Sequence, residues 1–162
     1  IAATTFLSKQ SYVDPNRIYL GGHSTGGTLA LLVAEYSPRF RAVFSFGPVA
    51  DVQEYGGDFL PAGLNDATEL RLRSPGNWLS SIRSPVFVLE GTAQPSNAEP
   101  LEQMRARSQN PLAHFQLIPA ASHFSELAPA TALIARKIVA DSGARSNIAF
   151  DDAELAGLMR GH

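Results

Sequence analysis

A serine between glycines constrains the fold of this chain more than any other feature. Gly22-His23-Ser24-Thr25-Gly26 fits the pattern G-x-S-x-G. A short strand pattern over 17–21 precedes it, and residues 26–36 are apolar almost all round, as in a buried helix. A chain that passes from strand to helix so abruptly must turn sharply, and the glycines let neighbouring backbone approach. The pattern therefore predicts a strained serine whose hydroxyl is exposed at the end of a strand.

The pentapeptide alone is a weak signal, since it occurs by chance in many proteins. The alternative is a tight strand-to-helix turn in which Ser24 merely caps the helix. The strand before it, the buried helix after it and the additional Gly27 favour a catalytic turn. We predict Ser24 as the nucleophile, and the backbone N–H of Thr25, at the positive end of the helix dipole, as one half of an oxyanion hole.

Strand and helix patterns alternate along the rest of the chain. Apolar runs predict further strands at 41–46, 85–89 and 114–118, and helical patterns predict helices at 101–108, 129–142 and 151–160. This alternation favours a mostly parallel sheet with helices on both faces. Four strands are few for such a sheet, and Ile1–Leu7 reads like the inside of a helix. We interpret residues 1–162 as the C-terminal part of one domain whose N-terminal strands are missing.

Residues 48–80 interrupt this alternation with glycines, prolines and scattered large apolar residues, among them Phe59, Leu60, Trp78 and Leu79. We predict a lid or cap insertion that packs over a small-molecule pocket, because apolar caps often complete such sites. The alternative is a surface that meets another protein.

Composition removes several classes of function. The chain has no cysteine, so disulfides, thiolate metal sites and cysteine nucleophiles are excluded together. A net charge of −2 gives no reason to expect nucleic acid or an anionic membrane as a partner. No apolar run approaches the roughly 20 residues that span a bilayer, which predicts a soluble protein. Since there is no G-x-G-x-x-G and no metal-ligand spacing, we predict neither a cofactor nor a metal. Compartment and oligomeric state stay open.

A serine nucleophile needs an imidazole to accept its proton. Of the four histidines, His162 is terminal, His23 adjoins the serine and His114 begins a strand. His123 follows the last predicted strand in a loop, where the carboxyl ends of parallel strands meet, and it comes after the serine in chain order. The alternative is a solvated loop histidine. We predict His123 as the general base.

Two stretches now resemble a known family. Residues 14–27, Asp-Pro-Asn-Arg-Ile-Tyr-Leu-Gly-Gly-His-Ser-Thr-Gly-Gly, and the loop Ser122-His123-Phe124 are similar to the α/β-hydrolases grouped around prolyl oligopeptidase and dienelactone hydrolase. The similarity extends over most of residues 10–140. It implies an α/β-hydrolase fold and hydrolysis of an ester or amide bond in a small-molecule or peptide substrate, through an acyl-enzyme.

The chain departs from the family at the acidic residue that would complete a catalytic triad with the serine and the histidine. The family pattern after the third strand is Gly-x-x-Asp, but Gly91-Thr92-Ala93-Gln94 places an amide there. Glu90, at the end of the same strand, and Asp51, after the preceding strand, are the available carboxylates. We favour Glu90, with Asp51 as the second choice. As alternatives, Glu90 pairs with an arginine, or Asp51 caps a short helix.

These residues predict a serine hydrolase that uses Ser24, His123 and an acid. Because Gln94 stands where the family has an aspartate, a second hypothesis is that the chain is a catalytically impaired relative that binds a ligand or a partner. The other oxyanion N–H belongs, by the resemblance, to a loop after an early strand, and we expect that loop to lie outside the sequence.

Overall fold

The computed structural model describes residues 1–57, 60 and 65–160. Six α-helices and four β-strands lie in these ranges, in this chain order: α1 (Ala2–Leu7), β1 (Leu20–His23), α2 (Thr25–Tyr36), β2 (Val43–Phe46), α3 (Ala67–Arg73), β3 (Val86–Ala93), α4 (Ala98–Arg107), β4 (Ala113–Ser122), α5 (Leu127–Ala140) and α6 (Asp152–Gly157). Short 3₁₀ helices are found at Val52–Tyr55, Pro75–Asn77 and Leu79–Ser81. None of the helices in the described ranges is long and apolar enough to cross a membrane.

The strands form one parallel sheet in the order β1-β2-β3-β4, as the alternating pattern predicts. β3 shows why the sheet needs helices on both faces. Val86 and Val88 pack in one hydrophobic cluster with α2 and α4, whereas Phe87 and Leu89 pack in a second cluster with α5 and α6. Since successive side chains of a strand point to opposite faces, each cluster occupies one side of the sheet.

Most element boundaries differ from the predicted ones by a few residues. β1 begins at Leu20 rather than residue 17, because its pairing with β2 begins where Leu20 lies opposite Val43. β3 and β4 continue beyond their apolar runs, to Ala93 and Ser122. Their added residues include polar ones, which pair through the backbone irrespective of side chain. The carboxyl ends of these two strands therefore carry polar side chains, whose positions are fixed by the backbone hydrogen bonds between the strands.

The predicted lid segment, 48–80, is partly described. Leu79 is buried in the same hydrophobic cluster as Val88, so this residue belongs to the core. The Gly76 N–H donates to the Ala50 carbonyl at 2.9 Å, and the Val52 N–H donates to Ser74 Oγ at 3.0 Å, which ties the two ends of the segment together. Phe59 lies outside the described residues. A lid role for the segment stays a prediction.

Candidate active site

Ser24 lies at the turn between β1 and α2, in a backbone conformation that L-residues rarely adopt, with φ 57° and ψ −119°. Its N–H donates to the Phe46 carbonyl at 2.8 Å, and its own carbonyl accepts from the Thr28 N–H at 2.9 Å. These bonds anchor the strained residue to β2 on one side and to α2 on the other. Strain that is held in this way is characteristic of functional sites.

Two glycines make this turn possible. A Cβ on Gly22 would collide with the backbone of Gly26, and a Cβ on Gly27 would collide with the Phe46 carbonyl. The sequence pattern thus reflects the close approach of α2 to β1 and β2. Thr25 is the first residue of α2, so its N–H has no intrahelical partner.

Glu90 and His123 meet at the carboxyl end of the sheet. Glu90 is fully buried in β3, and His123, directly after β4, is 7% exposed. His123 Nδ1 lies 3.1 Å from Glu90 Oε2 and 3.3 Å from Oε1. An ionised carboxylate can only accept, so this contact assigns the proton to Nδ1 and leaves Nε2 free to accept another. The predicted base and the favoured acid are therefore in contact.

A loop residue and a glycine hold this pair in place. The Asn97 N–H donates to Glu90 Oε1 at 2.9 Å, and Asn97 Nδ2 donates to the Gly47 carbonyl at 2.8 Å. Gly47 has φ 53°, and a Cβ there would overlap both the Glu90 carboxylate and the His123 ring. Neither Gly47 nor Asn97 was predicted from the sequence. A glycine directly after a buried strand was the available signal for the first.

His23 links the serine turn to the histidine loop. Its Nε2 lies 2.9 Å from the His123 backbone carbonyl, and the two imidazole rings are 4.3 Å apart. The His123 N–H donates to the Pro95 carbonyl at 2.8 Å, which fixes the loop from the β3 side. Since His23 is the chain neighbour of Ser24, the serine turn and the His123 loop are adjacent in space.

The remaining candidates lie elsewhere. Asp51 caps the 3₁₀ helix Val52–Tyr55, where its carboxylate accepts from the Gln53 N–H at 2.9 Å and from Ser74 Oγ at 3.1 Å. This is the capping alternative raised above. Gln94 is exposed just beyond β3. His114 stacks on Phe87 with ring centroids 4.9 Å apart, and burial lowers its pKa. His162 lies outside the described residues.

A third ionisable residue, which the sequence analysis missed, lies beside the pair. Glu126 is fully buried, three residues after His123. Burial, and then the charge of Glu90, raise its pKa from 4.5 to about 9. Over the described part of the chain, no three His, Asp or Glu side chains are grouped as a metal ion would require. The only signal in the sequence was an acidic residue just before an apolar helix.

Comparison with known proteins identifies the family. The prolyl oligopeptidase family matches residues 1–125, which is more than half of the chain. The chain belongs to the prolyl oligopeptidase family. The resemblance noted at the Ser24 turn and at the His123 loop is thereby confirmed. No curated protein matches the sequence significantly.

Solved structures agree with the fold of this prolyl oligopeptidase family chain. Acylaminoacyl peptidase of Pyrococcus horikoshii superposes with a TM-score of 0.68 at 14% identity, over 94% of this chain and 28% of that one. Dipeptidyl peptidase 4 of Porphyromonas gingivalis superposes with a TM-score of 0.64 at 19% identity, and the match covers 85% of this chain and 21% of that one. An esterase domain from Rhodothermus marinus superposes with a TM-score of 0.62 at 24% identity, and the match covers 86% of this chain and 64% of that one. The chain thus spans less than two thirds of each relative. The fold is that of the α/β-hydrolases.

Proposed function

We propose that this chain carries the nucleophile, the base and the acid of a serine hydrolase that cleaves an ester or amide bond. The observation that supports the proposal best is the buried Glu90–His123 contact, at the same end of the sheet as the strained Ser24. Membership of the prolyl oligopeptidase family supports the same chemistry. The described relatives include peptidases and an esterase, so both bond types are proposed.

In the proposed reaction, Ser24 Oγ attacks the substrate carbonyl carbon while its proton passes to His123 Nε2. The Thr25 N–H stabilises the negative oxygen of the tetrahedral intermediate. The bond to the leaving group then breaks, and the leaving group takes the proton from Nε2. Water repeats the sequence and releases the acyl group from Ser24. Glu90 accepts the Nδ1–H throughout and stabilises the imidazolium.

Glu90 suits the acid role because of its position within β3. It lies opposite Leu117 in the β3–β4 ladder, one residue before Gly91. A Cβ on Gly91 would collide with the Ala121 carbonyl, so the backbones approach closely beside the acid. The longer side chain of glutamate reaches the imidazole from inside the strand, whereas an acid at position 94 would start beyond its end. The proposal therefore explains how Gln94 is tolerated.

The test is covalent labelling of the full-length protein with a fluorophosphonate, followed by mass spectrometry of the adduct. We expect one adduct on Ser24, none in Ser24→Ala, and labelling slowed by orders of magnitude in His123→Ala. Circular dichroism of both variants controls for folding. A folded wild-type protein that takes no label at Ser24 would refute the proposal and leave the impaired relative as the better hypothesis.

A further inference from the structure

The Glu126 carboxyl is unusual because it is buried without compensation. The residue is fully buried at the N-terminus of α5, and neither of its oxygens has a hydrogen-bond partner among the described residues. A buried carboxylate without partners is strongly disfavoured, so such a group holds its proton. As a neutral acid, Glu126 has an O–H to donate and requires an acceptor.

The available acceptor is the acid of the proposed triad. The Glu90 carboxylate, which is also fully buried, is the charged group that acts on the Glu126 carboxyl. His123 contacts Glu90 as well, at 3.1 Å. Two ionised carboxyls cannot share such a site, but one neutral and one charged carboxyl can share a proton in a strong hydrogen bond.

We propose that Glu126 is a positioning residue, whose neutral carboxyl donates a hydrogen bond to the Glu90 carboxylate and fixes it against His123 Nδ1. Glu90 has a flexible side chain, and its carboxylate already accepts from the Asn97 N–H and faces His123 Nδ1. A third donor restrains the remaining freedom of this carboxylate. The effect of Glu126 on turnover rests on the proposed function, whereas the hydrogen bond between the Glu126 and Glu90 carboxyls (the carboxyl pair) does not.

Glu35 on α2 supplies a matched control. It is also buried, also lacks a partner for either oxygen among the described residues, and also has a pKa raised to about 9. In its case burial alone is the cause, and no carboxylate acts on it. Glu35→Gln and Glu126→Gln therefore both remove a buried acid, but only the second removes one on which the charge of Glu90 acts.

The first experiment is the pH dependence of kcat/KM in the full-length protein. We expect an alkaline decline with a pKa near 9, as Glu126 ionises beside Glu90. Glu126→Gln keeps a donor that cannot ionise, so the decline disappears while activity at neutral pH is retained. Glu126→Leu removes the donor and lowers kcat about 10-fold or more with little change in KM. Glu35→Gln leaves the profile as in wild type.

The second experiment does not depend on turnover. A downfield proton resonance of the His123 Nδ1–H reports its hydrogen bond to Glu90. We expect it in wild type and in Glu126→Gln at pH 7, and a shift in Glu126→Leu. In wild type and in Glu35→Gln, but not in Glu126→Gln, this resonance changes as pH rises through about 9, the pKa of Glu126. If Ser24 takes no label but the resonance behaves in this way, the proposed function fails and the carboxyl pair stands.

An alkaline profile that is identical in wild type and Glu126→Gln would overturn the inference, as would a resonance that no Glu126 substitution alters. If Glu126→Leu does not fold, the comparison of wild type with Glu126→Gln across pH 9 still decides.

Discussion

Two buried carboxylate clusters lie at opposite ends of the sheet and are completed differently. Asp141 follows α5 and meets residues at the amino ends of β1 and β2. Arg41 donates to both of its oxygens, at 2.6 and 2.8 Å, and the Tyr19 hydroxyl donates at 2.7 Å. Glu90, at the carboxyl end, lies 3.1 Å from His123 Nδ1, and its charge acts on the buried Glu126, whose carboxyl oxygens have no hydrogen-bond partner among the described residues.

The pKa values of the two clusters move in opposite directions. Hydrogen bonds from the Arg41 guanidinium, which has the largest effect, and from the Tyr19 hydroxyl hold the pKa of Asp141 well below its usual value. Burial and Glu90 raise that of Glu126 to about 9. Because a carboxyl whose pKa is lowered on folding favours the folded state when it is ionised, Asp141 contributes to stability at neutral pH. At the other end, uncompensated groups persist where the proposed chemistry occurs, as is common at functional sites.

The largest effect is expected from a substitution of Glu90, in the cluster at the carboxyl end of the sheet. Glu90→Gln should lower kcat/KM by about 10⁴-fold, because the amide no longer stabilises the imidazolium or selects the correct tautomer. Steady-state kinetics of the full-length protein would measure it. Asp51→Asn is the control, since it weakens a helix cap and leaves turnover within a few-fold. Equal losses in both variants would contradict the assignment of Glu90 as the acid.

Gly47→Ala should follow in size. The new Cβ would overlap Glu90 and the His123 ring, so we expect turnover to fall by about 100-fold through displacement of the pair. Gly56→Ala is a matched control, because Gly56 also has positive φ, 79°, but has open space around it. The control should lose about 1 kcal/mol of stability and keep its turnover. Similar kinetics in the two variants would show that strain alone matters.

Asp141→Asn tests the satisfied cluster. We expect the Tm at pH 7 to fall by about 10 °C, because Arg41 remains without its carboxylate. The loss should shrink below about pH 4, since wild type also loses this contribution when Asp141 is protonated. Glu102→Gln, which breaks an exposed pair with Arg105, should change Tm by no more than about 2 °C. Thermal unfolding monitored by circular dichroism measures both.

The smallest effect concerns Glu35. Its pKa is raised from 4.5 to about 9, so the folded state binds one more proton than the unfolded state between these values. Stability contributed by this site therefore falls as pH rises from about 5 to 9. We expect Glu35→Gln to raise Tm at pH 8 by a few degrees and to leave it unchanged at pH 4. A higher Tm at both pH values would point to a cause other than ionisation.

Local signals in the sequence were sufficient for Ser24 and His123 as candidates, since a glycine-flanked turn and a loop after the last strand are short-range features. Glu90 was favoured over Asp51 because it ends the same strand that the family uses. Leu79 was predicted within the lid segment and packs in the core. The sequence could not show this, since an apolar residue in an irregular segment has the same pattern whether it covers a pocket or fills the core.

The sequence by itself determined the parallel α/β architecture, the strained serine turn and the histidine that follows the last strand, because periodicity and glycine placement act over a few residues. Only the tertiary structure decided which carboxylate meets His123, that Gly47 leaves room for the pair, and that Glu126 is buried where the charge of Glu90 acts on it. Asn97 binds a carbonyl 50 residues away. Such contacts depend on which strands become neighbours and on burial, and neither is encoded in the spacing along the chain.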